Sequence, residues 1–170
     1  GPAANAQRVQ VFIREKGIEI PTEQLNVREG KQFLEPFTSM NPFHCVPFLE
    51  LDDGTVISES ISICRYLEEI YPNPALFGTT AETRAIIDMW LRRFELDGFL
   101  PMLHAVRNHL ENFKGRVIPG TRTDLPQVPQ MVTRGIEMGK MFLERVEPHM
   151  AENEFVAGSR FSVADITAFF

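Results

Sequence analysis

Two β-rich runs, Val46-Pro47-Phe48-Leu49-Glu50-Leu51 and Thr55-Val56-Ile57, are separated only by Asp52-Asp53-Gly54. A connection this short joins antiparallel strands, because a parallel pair needs a long crossover. Asp-Gly is also a preferred dipeptide for such turns. Upstream of this hairpin, Val9, Phe12 and Ile13 recur at helical spacing, with Asn5 as a candidate N-cap and Gly17 as the C-terminal stop. Leu25 and Val27 then alternate with Gln24 and Asn26, which predicts a short strand, and a polar stretch runs from Arg28 to Asn41. Downstream of the hairpin, Ser58 to Tyr71 predicts a helix capped by Ser58, with Ile63, Leu67 and Ile70 on one face. Pro72-Asn73-Pro74 ends it.

Beyond this point the pattern is helical throughout. Thr79-Thr80-Ala81-Glu82 reads as a capping box. Ile86, Met89, Trp90, Phe94, Leu100, Leu103, Val106 and Leu110 continue a helical period, which Gly98 and Pro101 interrupt with a bend. Arg116 to Pro129 is a loop, and Val132, Ile136, Gly139, Phe142, Leu143 and Val146 define another helix. Gly135 and Gly139 lie one turn apart, a spacing suited to close helix packing. Near the end, Ser162 is an N-cap with Asp165 at N3, and Phe161 and Ile166 fit a hydrophobic staple. That helix reaches Phe170 after two turns, which suggests a longer natural chain. The expected organisation is an α/β domain over residues 1–72 and an all-helical domain, incomplete at its C-terminus, over residues 79–170.

Composition narrows the function classes. Of 170 residues, 44% are hydrophobic and 24% charged, which suits a globular chain with a real core. A net charge of −6 argues against broad nucleic-acid binding. No apolar run approaches the roughly 20 residues that span a bilayer, so a soluble protein without a membrane partner is expected. Two cysteines make no disulfide framework, which points to a reducing, cytoplasmic setting. They form no Cys-x-x-Cys pair, and four scattered histidines form no metal site. Gly1-Pro2 fits the remnant of a protease cut.

The ordered set Asn41-Pro42-Phe43, Val46-Pro47, Leu51-Asp52-Asp53-Gly54, Glu59-Ser60 with Ile63 and Arg65-Tyr66-Leu67, and Phe155-Val156-Ala157-Gly158 through Asp165 resembles the cytosolic glutathione S-transferases. Asn5-Ala6-Gln7-Arg8-Val9 with Glu15-Lys16-Gly17 resembles the first helix of bacterial members. Each motif alone is weak; their order and spacing across nearly the whole chain are specific. The resemblance implies a thioredoxin-like domain followed by a helical bundle, usually a homodimer. The family's first strand, which precedes the position of Asn5, is missing from this sequence. The implied activity is attack of a bound glutathione thiolate on a small hydrophobic electrophile. Alternatives are a glutathione-dependent disulfide reductase and a non-catalytic glutathione-binding or protein-interaction module.

The resemblance also implies roles. A free thiol is little ionised at neutral pH, and the family activates it with a donor in or before the first helix. Asn5 is the only side-chain donor there, flanked by Ala3, Ala4 and Ala6, so it is the candidate for thiol activation and equally a plain N-cap. Val46, ahead of a Pro47 that is cis in the family, would pair by its backbone with the cysteinyl part of glutathione. Ser60 and the helix N-terminus would hold the γ-glutamyl carboxylate, and Glu59 its ammonium. Relatives place a charged or amide side chain near Cys45 for the glycine carboxylate; His44, Lys31 or Gln32 would substitute here. Cys45 and Cys64 read as core cysteines rather than redox thiols. Met102, Leu103, His104, Val106 and Arg107 are candidates for the electrophile pocket, with Asn108 a further polar one, and Asp97 or Arg93 for a contact with a partner subunit.

Overall fold

The computed structural model describes residues 3–170; Gly1-Pro2, and the expectation about them, lie outside the described residues. The chain divides into two compact units. One comprises Gly1–Pro74 with Pro119–Thr121, the other Ala75–Ile118 with Arg122–Phe170.

In the first unit, helix α1 (Ala4–Lys16) packs on α3 (Ser60–Ile70), with a 3-10 turn (Lys31–Phe33), a short α2 (Phe37–Met40) and strands β1 (Phe48–Glu50) and β2 (Val56–Ser58) between them. The hairpin forms where the sequence places it, with Phe48 opposite Ser58, Leu49 opposite Ile57 and Glu50 opposite Val56. Leu51 N–H donates to the Thr55 carbonyl at 2.8 Å and Gly54 N–H to the Leu51 carbonyl at 2.9 Å. Gly54 has φ 83°, a conformation glycine adopts without a Cβ clash. Asp53 braces the turn by accepting from Thr55 N–H at 2.9 Å, a bond that also lowers its carboxyl pKa.

Four expectations for this unit change. No strand forms at Gln24–Val27: the only ladder among the described residues is the hairpin, so an alternating segment has no neighbour to pair with. Asn5 does not cap α1. Ala3 is the N-cap, its carbonyl accepting from Gln7 N–H at 3.0 Å, and good helix formers at Ala4 and Ala6 carry the helix past the apolar stripe. Ser58 does not cap α3; it stays paired in β2, and Glu59 makes the corner into the helix. Ile70 is exposed rather than packed with Ile63 and Leu67. Gly17 ends α1 in the left-handed conformation, as its position predicts.

The second unit is helical, with α4 (Ala81–Arg93), a π-helical segment (Phe94–Phe99), α5 (Leu100–His109), α6 (Pro129–Glu152) and α7 (Val163–Ala168). The cap of α4 sits one residue later than the sequence suggests. Thr80 Oγ1 accepts from Thr83 N–H and Thr83 Oγ1 from Thr80 N–H, leaving Thr79 and Glu82 out of the box. The buried stripe of α4 is Ile87, Trp90 and Leu91, continued by Phe94 of the π segment, while Ile86 and Met89 are exposed. Adjacent apolar residues give that helix two possible faces, and packing against α7 selects one. Where a bend is expected the structure has the π segment, in which a Cβ on Gly98 would lie 2.9 Å from the Phe142 ring. Pro101 follows that segment as the second residue of α5, where it has no N–H to donate to a carbonyl of the preceding turn. Gly135 and Gly139 do serve close packing: a Cβ on Gly135 would meet the Pro101 carbonyl at 2.4 Å, and one on Gly139 the Met102 Sδ at 2.9 Å. Ile136 and Leu143 of the same helix are exposed.

The C-terminal capping box is present as read. Asp165 Oδ2 accepts from Ser162 N–H at 2.8 Å and from Ser162 Oγ at 2.9 Å, while its Oδ1 accepts from Val156 N–H at 2.7 Å. One carboxylate thus starts α7 and anchors the turn that Phe155 and Gly158 close with reciprocal backbone bonds. Asp165→Ala removes all three bonds. The expected loss is about 3 kcal/mol of stability, read from urea denaturation.

Cys64 lies in the core of the first unit with no exposed surface. Burial pushes its thiol from an ordinary 9.0 to about 12, against a smaller opposing pull from the Arg8 charge. Above pH 9 the unfolded chain therefore loses this proton while the folded chain keeps it. The thiol makes stability fall from pH 9 up to about 12, by at most about 1.4 kcal/mol per pH unit. Urea melts at a series of pH values above 9 should give a shallower slope for Cys64→Ala than for the parent chain, whatever the offset between them.

Candidate functional site

The hairpin register places two of the sequence motifs together. Phe48 pairs with Ser58 at the open end, so Val46-Pro47 enters and Glu59-Ser60 leaves the hairpin at the same place. The Val46–Pro47 peptide bond is cis. Glu59 has φ 71° and ψ 123°, a strained conformation for a residue with a Cβ. It turns the chain from strand to helix within one residue, and its side chain is exposed. The first helical bond of α3 is Ile63 N–H to the Glu59 carbonyl at 3.0 Å, and no side chain caps the helix. The N–H groups of Ser60, Ile61 and Ser62 have no carbonyl one turn back in the helix, an arrangement suited to an anion.

Helix α1 reaches the same corner. Arg8, 2% exposed, donates from Nη1 to Ser60 Oγ at 2.9 Å. Asn5 lies three residues before Arg8, on the same face of α1. It is half-buried, and its amide has no hydrogen-bond partner among the described residues. Sequence reasoning missed Arg8. The available signal was the spacing Arg8, Phe12, Lys16, which puts two cations on a stripe with a fully buried phenylalanine.

The loop before Pro47 is held by Asn41, which is buried. Its Nδ2 donates to the Cys45 carbonyl at 2.8 Å, and its Oδ1 accepts from Phe43 N–H at 3.2 Å. His44 has φ 51°, and its Nδ1 lies 3.1 Å from the Gly120 carbonyl. A carbonyl only accepts, so Nδ1 carries the proton, and Nε2 of the neutral ring is an acceptor. Neutral His44 therefore offers a carboxylate no ring donor beyond the one Gly120 holds. Gly120 is required where it sits: it has φ 68°, and a Cβ would fall 1.8 Å from the Phe43 carbonyl and 2.8 Å from Cys45 Sγ. Lys31 is exposed and paired with Glu29 at 3.7 Å. Gln32 is buried, and its Oε1 has no partner among the described residues.

The remaining candidates lie in the second unit. Met102 and Val106 share a partly exposed face of α5, and Leu103, His104 and Arg107 are half-buried. Arg107 is committed locally: Nη1 donates to the Arg116 carbonyl at 2.6 Å, and the guanidinium lies 4.7 Å from the Phe113 ring. Asn108 is buried and bonds to the His104 carbonyl and Val128 N–H. Asp97 is exposed, and Arg93 lies over the Trp90 ring at 5.0 Å. A recess of about 400 Å³ on α6, lined by Lys140, Leu143, Glu144, Val146, Glu147 and Met150, contains none of the predicted site residues. No helix among the described residues is long and apolar enough to cross a membrane.

Residues 4–70 match the family model described as the glutathione S-transferase N-terminal domain. The chain is similar to glutathione S-transferase 2 of Saccharomyces cerevisiae, 28% identical over 94% of this chain and 67% of the yeast protein. Among solved structures it resembles a class Gtt2 glutathione S-transferase of Vibrio parahaemolyticus, at 35% identity and TM-score 0.81 over 99% of this chain and 76% of that one. It also resembles a glutathione S-transferase domain-containing protein of Marinobacter aquaeolei VT8, at 30% identity and TM-score 0.88 over 98% and 80% of the two chains. The two-stranded hairpin with α1 and α3 corresponds to the family's thioredoxin-like domain, and the helices that follow to its all-helical part. With the family model over residues 4–70 and these likenesses in agreement, the chain belongs to the glutathione S-transferase family.

Proposed function

We propose that this chain is a glutathione transferase whose α/β domain, residues 1–72 of the sequence, binds glutathione at the corner between the hairpin and α3. The carrying observation is the register that sets Val46-Pro47 beside Glu59-Ser60 at one end of the hairpin. The backbone of Val46 pairs with the cysteinyl moiety, as a strand edge pairs with an extended peptide. The first-turn N–H groups of α3 and the Ser60 hydroxyl take the γ-glutamyl α-carboxylate, and the exposed Glu59 carboxylate faces its ammonium. His44 stands nearest in sequence to the position where the glycine carboxylate is expected.

The chemistry requires a glutathione thiolate. Lowering a thiol pKa by about two units needs roughly 2.7 kcal/mol of preference for the anion. An amide N–H from Asn5 contributes by donating to the sulfur, which favours the charged form. The thiolate then attacks the electrophilic carbon of a small apolar substrate, a carbon–sulfur bond forms, and the leaving group departs with its electron pair. Met102, Leu103, His104, Val106 and Arg107, in the helical part spanning residues 79–170, are the candidates for the substrate pocket. A homodimer, with Asp97 or Arg93 near the seam, and a cytoplasmic location complete the proposal.

Calorimetric titration with glutathione, followed by a conjugation assay with a chlorinated nitroaromatic, tests this reading. Asn5→Ala should lower the turnover rate by about tenfold and raise the pKa of the bound thiol by about one unit, with glutathione affinity changed less than about threefold. An unchanged rate removes Asn5 from the chemistry. No glutathione binding by the parent chain overturns the proposed site.

A further inference from the structure

The glutathione site described above leaves Arg8 without a role, although Arg8 touches it. Its side chain is buried, and it spends one donor on Ser60 Oγ at 2.9 Å. A hydroxyl has one hydrogen and two lone pairs. Once a guanidinium N–H takes one lone pair, the hydroxyl hydrogen cannot face Arg8 and is left to donate to a different acceptor. Donation from a cation also polarises the O–H bond and strengthens it as a donor. Ser60 is the first residue of α3, so this hydroxyl lies at the helix end whose backbone N–H groups suit an anion. The guanidinium therefore adds a full positive charge to the same end as the helix dipole.

We propose that Arg8 is a positioning residue for the α-carboxylate of glutathione, holding the Ser60 hydroxyl as a donor to that carboxylate and placing a buried positive charge behind the N-terminus of α3. This rests on the glutathione reading above. It is specific to one end of the ligand: the α-carboxylate gains from Arg8, whereas the cysteinyl and glycine parts do not. A purely structural role would weaken binding of any ligand that uses the site.

The test compares glutathione with 4-aminobutyryl-cysteinylglycine, which keeps the amine, thiol and glycine carboxylate and lacks only the α-carboxylate. Calorimetry on Arg8→Gln should show glutathione affinity reduced roughly tenfold or more, with affinity for the analogue changed less than about twofold. Arg8→Lys, which keeps the cation, should restore part of the difference. Equal weakening of both ligands by Arg8→Gln overturns the proposal. Thermal melts establish whether each variant is folded. If Arg8→Gln does not fold, Ser60→Ala decides: it must reduce the parent chain's preference for glutathione over the analogue, again by roughly tenfold. An unchanged preference overturns the proposal. Failure of the parent chain to bind glutathione is a different result, because it overturns the site itself.

Discussion

Two buried cations on α1 secure both ends of α3, and the arrangement of the first unit depends on them. Arg8 reaches Ser60 at the start of α3, and Lys16 reaches Glu68 near its end. Both pairs span the same sequence offset, 52 residues, so the two helices run side by side in the same direction. Lys16 has three donors, and all three are used. Besides Glu68, they go to the carbonyls of Tyr71 at 2.8 Å and Pro74 at 2.5 Å, just past the end of the helix. The ammonium is thus paired, fully hydrogen-bonded and placed at the negative end of the α3 dipole. A charge with no exposed side-chain surface is tolerable on those terms and costly on others. Phe12, one turn from each cation and fully buried, fills the space between them.

That frame aligns the site. β2 hands the chain to α3 through a single strained residue, Glu59, and a strained corner persists only where its surroundings over-determine it. On the strand side, pairing of Ser58 with Phe48 fixes it. On the helix side, the Arg8–Ser60 bond does so. The same three elements therefore determine where the first-turn N–H groups of α3 point. The stability of the unit and the geometry of its anion-binding end have one origin.

Much of this was legible because it rests on local chemistry. The Asp-Gly turn, Gly17, and Ser162 with Asp165 each act through residues a few positions apart, and each does what its sequence context implies; the paired glycines of α6 meet α5 instead, but their one-turn spacing already marks a closely packed face. The boundaries that moved did so where two neighbours could serve equally. Thr79 and Thr80 are both competent caps, and Ile86 and Ile87 are both competent core residues; only packing selects between them. The strand at Gln24–Val27 failed for a different reason, since alternation describes a face but supplies no partner ladder. In the site, the motifs at Val46-Pro47 and Glu59-Ser60 could be read, and their shared end of the hairpin follows from its register. Arg8 left only the spacing Arg8, Phe12, Lys16 as a signal, because its partner Ser60 is a helix and a hairpin away in sequence.

The short segment Pro119–Thr121 carries a consequence for recombination between relatives. It lies within the sequence of the helical part yet belongs to the first unit, where the Gly120 carbonyl holds the His44 ring and its missing Cβ admits the Phe43–Cys45 backbone. The first unit is therefore not a cassette with a single junction at Pro74. A chimera joined there takes the loop before Pro47 from one parent and the glycine it leans on from the other. Such a graft remains compatible only when the donor of the helices also supplies a glycine at that place, which ties the inheritance of the two halves together through one absent methyl group.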